Sequence, residues 1–140
     1  MSSETGTQPK AETRQERFDR GMEILSRVDR EGGRRVVGSL ADVNPELGHQ
    51  VLAWAFGEIY DRPGLSLRDR ELVTLAALGG CEPQLEVHVN AALNVGVTRD
   101  EITEVFLHTA VCCGMPRALN ATFSAKKVFA ERGLLPEKTA

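Results

Sequence analysis

Pro83-Gln84-Leu85-Glu86-Val87-His88-Val89-Asn90-Ala91-Ala92-Leu93-Asn94-Val95-Gly96-Val97-Thr98-Arg99-Asp100-Glu101-Ile102 is the stretch from which the fold is read. Leu85, His88, Val89, Ala92 and Val95 recur at the spacing of one helix face, so the segment predicts an amphipathic helix from Pro83 to Val95. Pro83 suits the first turn, where a missing amide hydrogen is no loss, and Gly96 suits the left-handed residue that ends a helix. Thr98 and Glu101 then form a capping box, with Val97 and Ile102 in the staple positions, and open a second helix reaching about Cys113. Helix, tight turn, helix is the unit this stretch dictates.

The same signals recur on both sides. Thr13–Arg30 is strongly helix-forming, with Phe18, Met22 and Leu25 on one side, and Gly32-Gly33 is expected to stop it. Arg34–Asp42 predicts one or two helical turns. Asn44-Pro45 supplies a cap and a first-turn proline, and Leu47, Val51, Leu52, Ala55 and Ile59 carry an amphipathic helix to about Tyr60. After the turn Arg62-Pro63-Gly64-Leu65, the run Ser66-Leu67-Arg68-Asp69 has the capping-box pattern with Asp for Glu and predicts a helix to about Gly79. Gly114-Met115-Pro116 separates the Thr98-capped helix from a last one reaching Glu131. No segment alternates like a strand and no internal repeat stands out, so the class is all-α, one helical domain over 13–133 with about six or seven helices. Residues 1–12, rich in Ser, Thr, Glu and Gln, read as a disordered tail rather than a secretion signal, and 134–140 as a C-terminal tail.

Composition narrows the function. The chain is 41% hydrophobic and 26% charged, which is globular, and its net charge of −3 gives no footprint for nucleic acid or an anionic membrane. No apolar run approaches the roughly 20 residues of a membrane span. Three cysteines, Cys81, Cys112 and Cys113, are an odd number with two adjacent in a helix, a poor disulfide framework that points to a reducing cytoplasm. The absence of C-x-x-C, H-x-x-H and H-E-x-x-H spacings argues against a bound metal.

Leu107–Gly114 is apolar or small on nearly every face, and Ala118, Ala121, Thr122 and Ala125 form a stripe of small residues. A helix apolar all round must be enclosed, and a domain this size has little interior for it. Burial against a neighbouring subunit in a symmetric homo-oligomer is the expectation, with a central helix of a monomer as the alternative.

Chemistry centres on His88, which interrupts an aliphatic stripe. Imidazole is the side chain best suited to move a proton near neutral pH; the alternative is a core histidine bonded to a backbone carbonyl. His108 faces the same choice one helix later, and His49 reads as a surface residue. Arg62 and Arg68 flank the Ser66 cap, where a guanidinium can hold a carboxylate, or else pair with a surface glutamate such as Glu71. Cys113 carries no sign of an activated thiol.

Trp54–Leu65, Arg70–Leu78, Glu86–Thr98 and Cys112-Cys113-Gly114-Met115-Pro116 with Asn120-Ala121 resemble the γ-carboxymuconolactone decarboxylase family, a likeness spanning roughly Arg17 to Gly133. The resemblance implies an alkylhydroperoxidase-D-like subunit assembled as a trimer or a ring-shaped hexamer. It implies cofactor-independent loss of CO2 from 4-carboxymuconolactone, a lactone dicarboxylate, to give β-ketoadipate enol-lactone in protocatechuate breakdown. By the same resemblance Glu71 and His88 match proton-relay positions. The reaction then leads us to expect His88 and Glu71 as catalytic residues, Arg62 or Arg68 as the anchor of a substrate carboxylate, and an apolar wall including Trp54 and Cys113. A second branch of the superfamily is a thiol-dependent peroxidase or disulfide reductase that cycles a C-x-x-C pair. Here Cys81 stands at the first thiol position and Gln84 at the second, which removes the disulfide. A non-enzymatic member that kept the scaffold is the third reading.

Overall fold

Thr13 accepts a hydrogen bond from the Glu16 amide at 3.1 Å while Glu16 accepts from the Thr13 amide at 2.7 Å, and this reciprocal cap opens α1 (Arg14–Val28). The computed structural model describes residues 11–136; the tail expectations for 1–10 and 137–140 lie outside the described residues. Gly32 and Gly33, expected to end the first helix, instead begin α2 (Gly32–Ser39). The reason is room. A Cβ at Gly32 would lie 2.4 Å from Asp29 Oδ2, and one at Gly33 2.4 Å from Leu25 Cδ1, so the two glycines let α2 fold back on the end of α1 without displacing those side chains.

Asn44 accepts from the Leu47 amide at 3.1 Å and starts α3 (Pro45–Gln50). The expected α-helix to Tyr60 does not continue: the backbone widens into a π-helix over Val51–Tyr60. That changes which residues turn inward. Leu52, Ala53, Phe56 and Gly57 are buried, whereas Ile59, placed inside by a 3.6-residue period, is 39% exposed; Leu47, in α3 before the π-helix, is 49% exposed. The π-helix crosses α1 almost backbone to backbone. A Cβ on Gly21 would lie 1.8 Å from the Leu52 carbonyl oxygen, and one on Gly57 2.6 Å from the Arg17 carbonyl oxygen.

The second half follows its caps. Ser66 accepts from the Asp69 amide at the start of α4 (Leu67–Ala77), which ends two residues short of Gly79. α5 (Gln84–Asn94) follows Pro83 as its N-cap, Gly96 takes φ +91°, and the Thr98–Glu101 capping box opens α6 (Arg99–Cys113). α7 (Met115–Glu131) closes the chain. The described residues form no strand, and no helix among them is long and apolar enough to cross a membrane.

Two apolar cores flank α5. Leu85, Val89 and Ala92 pack with Leu75, Ile102, Phe106 and the inner face of α7, while Ala91 joins Ile24, Leu25, Val28, Leu52 and Phe56. The small-residue stripe of α7 is spent inside the chain, for Ala118, Ala121 and Ala125 are buried and only Thr122 is exposed. The outer face of α6 remains uncovered in a single chain: Leu107 is 64% and Val111 82% exposed.

Candidate active site

α4 and α5 lie side by side and carry Glu71 and His88 toward each other. Glu71 is fully buried, and its Oε2 lies 2.8 Å from His88 Nδ1; the histidine side chain keeps 23% exposure. The partner of His88 is a carboxylate rather than the backbone carbonyl of the alternative reading. An ionised Glu71 accepts from Nδ1–H, which fixes the ring and leaves Nε2 unengaged by the pair. Protonation of Nε2 then makes an imidazolium whose charge Glu71 balances. Glu71 Oε1 is buried with no hydrogen-bond partner among the described residues.

Tyr60, at the end of the π-helix, meets the same carboxylate from behind. Its hydroxyl lies 2.9 Å from Thr74 Oγ1, and Thr74 in turn donates to the Arg70 carbonyl at 2.9 Å. With its own hydrogen used, Thr74 is the acceptor and Tyr60 the donor. Burial first, and the negative charge of Glu71 next, hold the Tyr60 phenol far above its ordinary value.

His88 stands on the wall of a cavity of about 310 Å³. Leu25, Val28, Val36, Leu40, Val51 and Phe56 give it an apolar lining from α1, α2 and the π-helix, and its polar side chains are Asp29, Ser39, Gln84 and His88. The lining includes no lysine or arginine.

Of the residues expected at the site, one chain brings together His88 and Glu71 only. Arg68 is ion-paired with Glu101, whose carboxylate is held below its ordinary value by the Thr98 amide and then by Arg68 itself. Arg62 is exposed in the turn before α4, and its carbonyl accepts from Arg70 at 2.9 Å. Trp54 is 56% exposed and borders a different groove with Arg14, Arg17 and His49. Cys113 lines a third, open groove with His108 and Cys112. His108 is exposed there, with Nε2 3.6 Å from Cys112 Sγ, rather than facing the interior. His49 is half-buried and stacks on Phe18 with 5.4 Å between ring centres. All three cysteines are free and exposed, and no cluster of three or more metal-binding side chains occurs among the described residues. Sequence reasoning did not place Tyr60 beside Thr74, since its partner lies on another helix, nor Gln84 on the cavity wall, although its i, i+4 spacing from His88 was a readable signal.

An imidazole fixed by a buried carboxylate on an apolar cavity, in a small all-helical domain, is a class of site suited to proton transfer on a small organic molecule. The chain belongs to the carboxymuconolactone decarboxylase family, which it matches over residues 45–127. It is 36% identical over 127 residues to the 4-carboxymuconolactone decarboxylase of Acinetobacter baylyi, covering 89% of this chain and 95% of that one. It is also 36% identical over 115 residues to the nitrosuccinic acid decarboxylase of Metarhizium robertsii, 79% of each chain. An uncharacterized 15.0 kDa protein of Paracoccus denitrificans is 33% identical over 91 residues, 62% of this chain and 68% of that one.

Proposed function

We propose that the chain is a decarboxylase that removes CO2 from 4-carboxymuconolactone and leaves the enol-lactone of β-ketoadipate. The observation that carries the reading is His88 on the wall of an apolar cavity, held from behind that wall by the buried Glu71 at 2.8 Å, in a chain of this family. Cleavage of the carbon–carboxylate bond leaves its electron pair on the substrate, where it delocalises onto the lactone carbonyl oxygen. A proton then adds to the carbon beside that carbonyl. His88 delivers the proton from Nε2, Glu71 balances the imidazolium before transfer, and solvent restores the proton. The apolar lining gives the departing carboxylate poorer solvation than water does, which favours its loss as neutral CO2. Nitrosuccinic acid, the substrate in the name of the fungal relative, also pairs a carboxylate with an oxygen-bearing electron acceptor, its nitro group. In this chain the Glu71–His88 apparatus suits either kind of electron acceptor.

The chain works as a homo-oligomer, a trimer or ring-shaped hexamer, because Leu107, Val111, Met115, Leu119 and Phe123 present a broad apolar surface outside the cavity. In such an assembly Arg62, exposed and without an ion pair among the described residues, is the arginine left to anchor a substrate carboxylate across a subunit contact. Three free thiols suit a reducing compartment such as the cytoplasm. The test is a direct assay of CO2 release and enol-lactone formation with no thiol reductant added. Wild-type turnover that vanishes in His88→Gln, with the helical spectrum unchanged, is the expected result; near-normal turnover by the variant would overturn the assignment.

A further inference from the structure

We infer that Gln84 is a second catalytic residue, whose side-chain amide donates to the substrate oxygen that gains negative charge as CO2 departs; this rests on the decarboxylase reading above. The inference comes from an account of the hydrogen-bond donors facing the cavity. Four polar side chains line it: Asp29, Ser39, Gln84 and His88. Ser39 spends its hydroxyl hydrogen on the Val36 carbonyl at 2.8 Å. Asp29 offers only acceptor oxygens when ionised, and one of them already takes the Gly32 amide at 3.1 Å. His88 is held by Glu71 and supplies the proton to carbon. Gln84 remains. Its amide makes no side-chain hydrogen bond among the described residues, and no lysine or arginine lines the cavity to replace it.

The chemistry demands two groups, one to protonate carbon and one to hold the neighbouring oxygen, and a single imidazole nitrogen does not do both at once. Gln84 and His88 occupy positions i and i+4 of α5, so they stand on one face about 6 Å apart along the axis. That separation lets two side chains reach adjacent atoms of one small molecule. A neutral amide suits the task, since it donates without adding a charge that would hold the substrate carboxylate in place.

The experiment compares steady-state turnover of 4-carboxymuconolactone and of nitrosuccinic acid by the wild type, His88→Gln, Gln84→Leu and Gln84→Glu. Gln84→Leu, which keeps the bulk and removes the donor, is expected to lower kcat by about 100-fold with a much smaller change in KM. Gln84→Glu, which sets a carboxylate beside the developing charge, is expected to fall further. Gln84 is exposed in the first turn of α5, and Gln84→Ala, a good helix former, is read the same way should the leucine variant fail to fold. Gln84→Leu and Gln84→Ala within about threefold of wild-type kcat, with His88→Gln inactive, overturn the Gln84 assignment alone. No turnover of either substrate by the wild type overturns the decarboxylase reading and this inference with it.

Discussion

A carboxylate that is fully buried with one oxygen bonded to an imidazole and the other unpartnered has little structural justification, because leaving such an atom unpaired is costly. Glu71 makes sense as the group that fixes and charges His88. Glu71→Gln keeps the volume and an acceptor for Nδ1–H but removes the charge opposite the imidazolium. It is expected to lower kcat by about 100-fold or more while the helical spectrum is preserved, as measured by turnover and circular dichroism. Tyr60 gives a second residue-scale prediction. It is the chain's one tyrosine, so tyrosinate absorbance reports it alone. A free phenol ionises near pH ~10, but burial and then Glu71 raise Tyr60 well above that. Above pH ~10 the folded chain therefore binds more protons than the unfolded one, and stability falls as pH rises. Tyrosinate absorbance is expected to appear together with loss of helical signal. A tyrosinate transition near pH 10 with helices intact would contradict the buried Tyr60–Thr74–Glu71 arrangement.

At the scale of elements, the caps were legible because they are local. Ser66, Asn44 and Thr98 each bond an amide three residues on, and those short-range donors and acceptors set helix starts whatever surrounds them. The π-helix was not legible. Its apolar spacing fits a 3.6-residue period, and the departure answers to α1, more than thirty residues earlier, whose Gly21 meets the Leu52 carbonyl. The ion pair of Arg68 was not legible for a similar reason: its partner Glu101 is 33 residues away on α6. The pairing of His88 with Glu71 was foreshadowed by their family blocks, while the cavity that His88 lines was not, since α1 and α2 supply much of its wall. The crossing yields a prediction. Gly21→Ala would force a Cβ to 1.8 Å from a backbone oxygen and is expected to cost about 3 kcal/mol or more, or to prevent folding. Gly38→Ala, in α2 with nothing within 4 Å of the added atom, is expected to be neutral or to stabilise by up to about 1 kcal/mol. Thermal and denaturant unfolding of the two variants measure the contrast.

For the whole molecule, the decisive feature is apolar surface that the described residues leave uncovered. Leu107 and Val111 lie one turn apart on α6, and Met115, Leu119 and Phe123 one turn apart along α7; each is between 48% and 82% exposed. Val73 on α4, 60% exposed, borders the open groove of about 600 Å³ beside them. A monomer would leave all of this in water, whereas association removes it at roughly 25 cal/mol per Å² of apolar area. Light scattering is therefore expected to give a mass several times that of one chain. Val111→Lys places a charge in the middle of the surface and is expected to shift the protein toward monomer, because burying an unpaired ammonium costs several kcal/mol. The cavity residues named above and the Glu71–His88 contact lie within one chain, so the pair is expected to survive dissociation. The monomeric variant should then keep much of its kcat, and KM should rise if a neighbouring Arg62 anchors the substrate. A wild type that scatters as a monomer would remove the assembly, and an unchanged KM in dissociated Val111→Lys would remove Arg62 from the site.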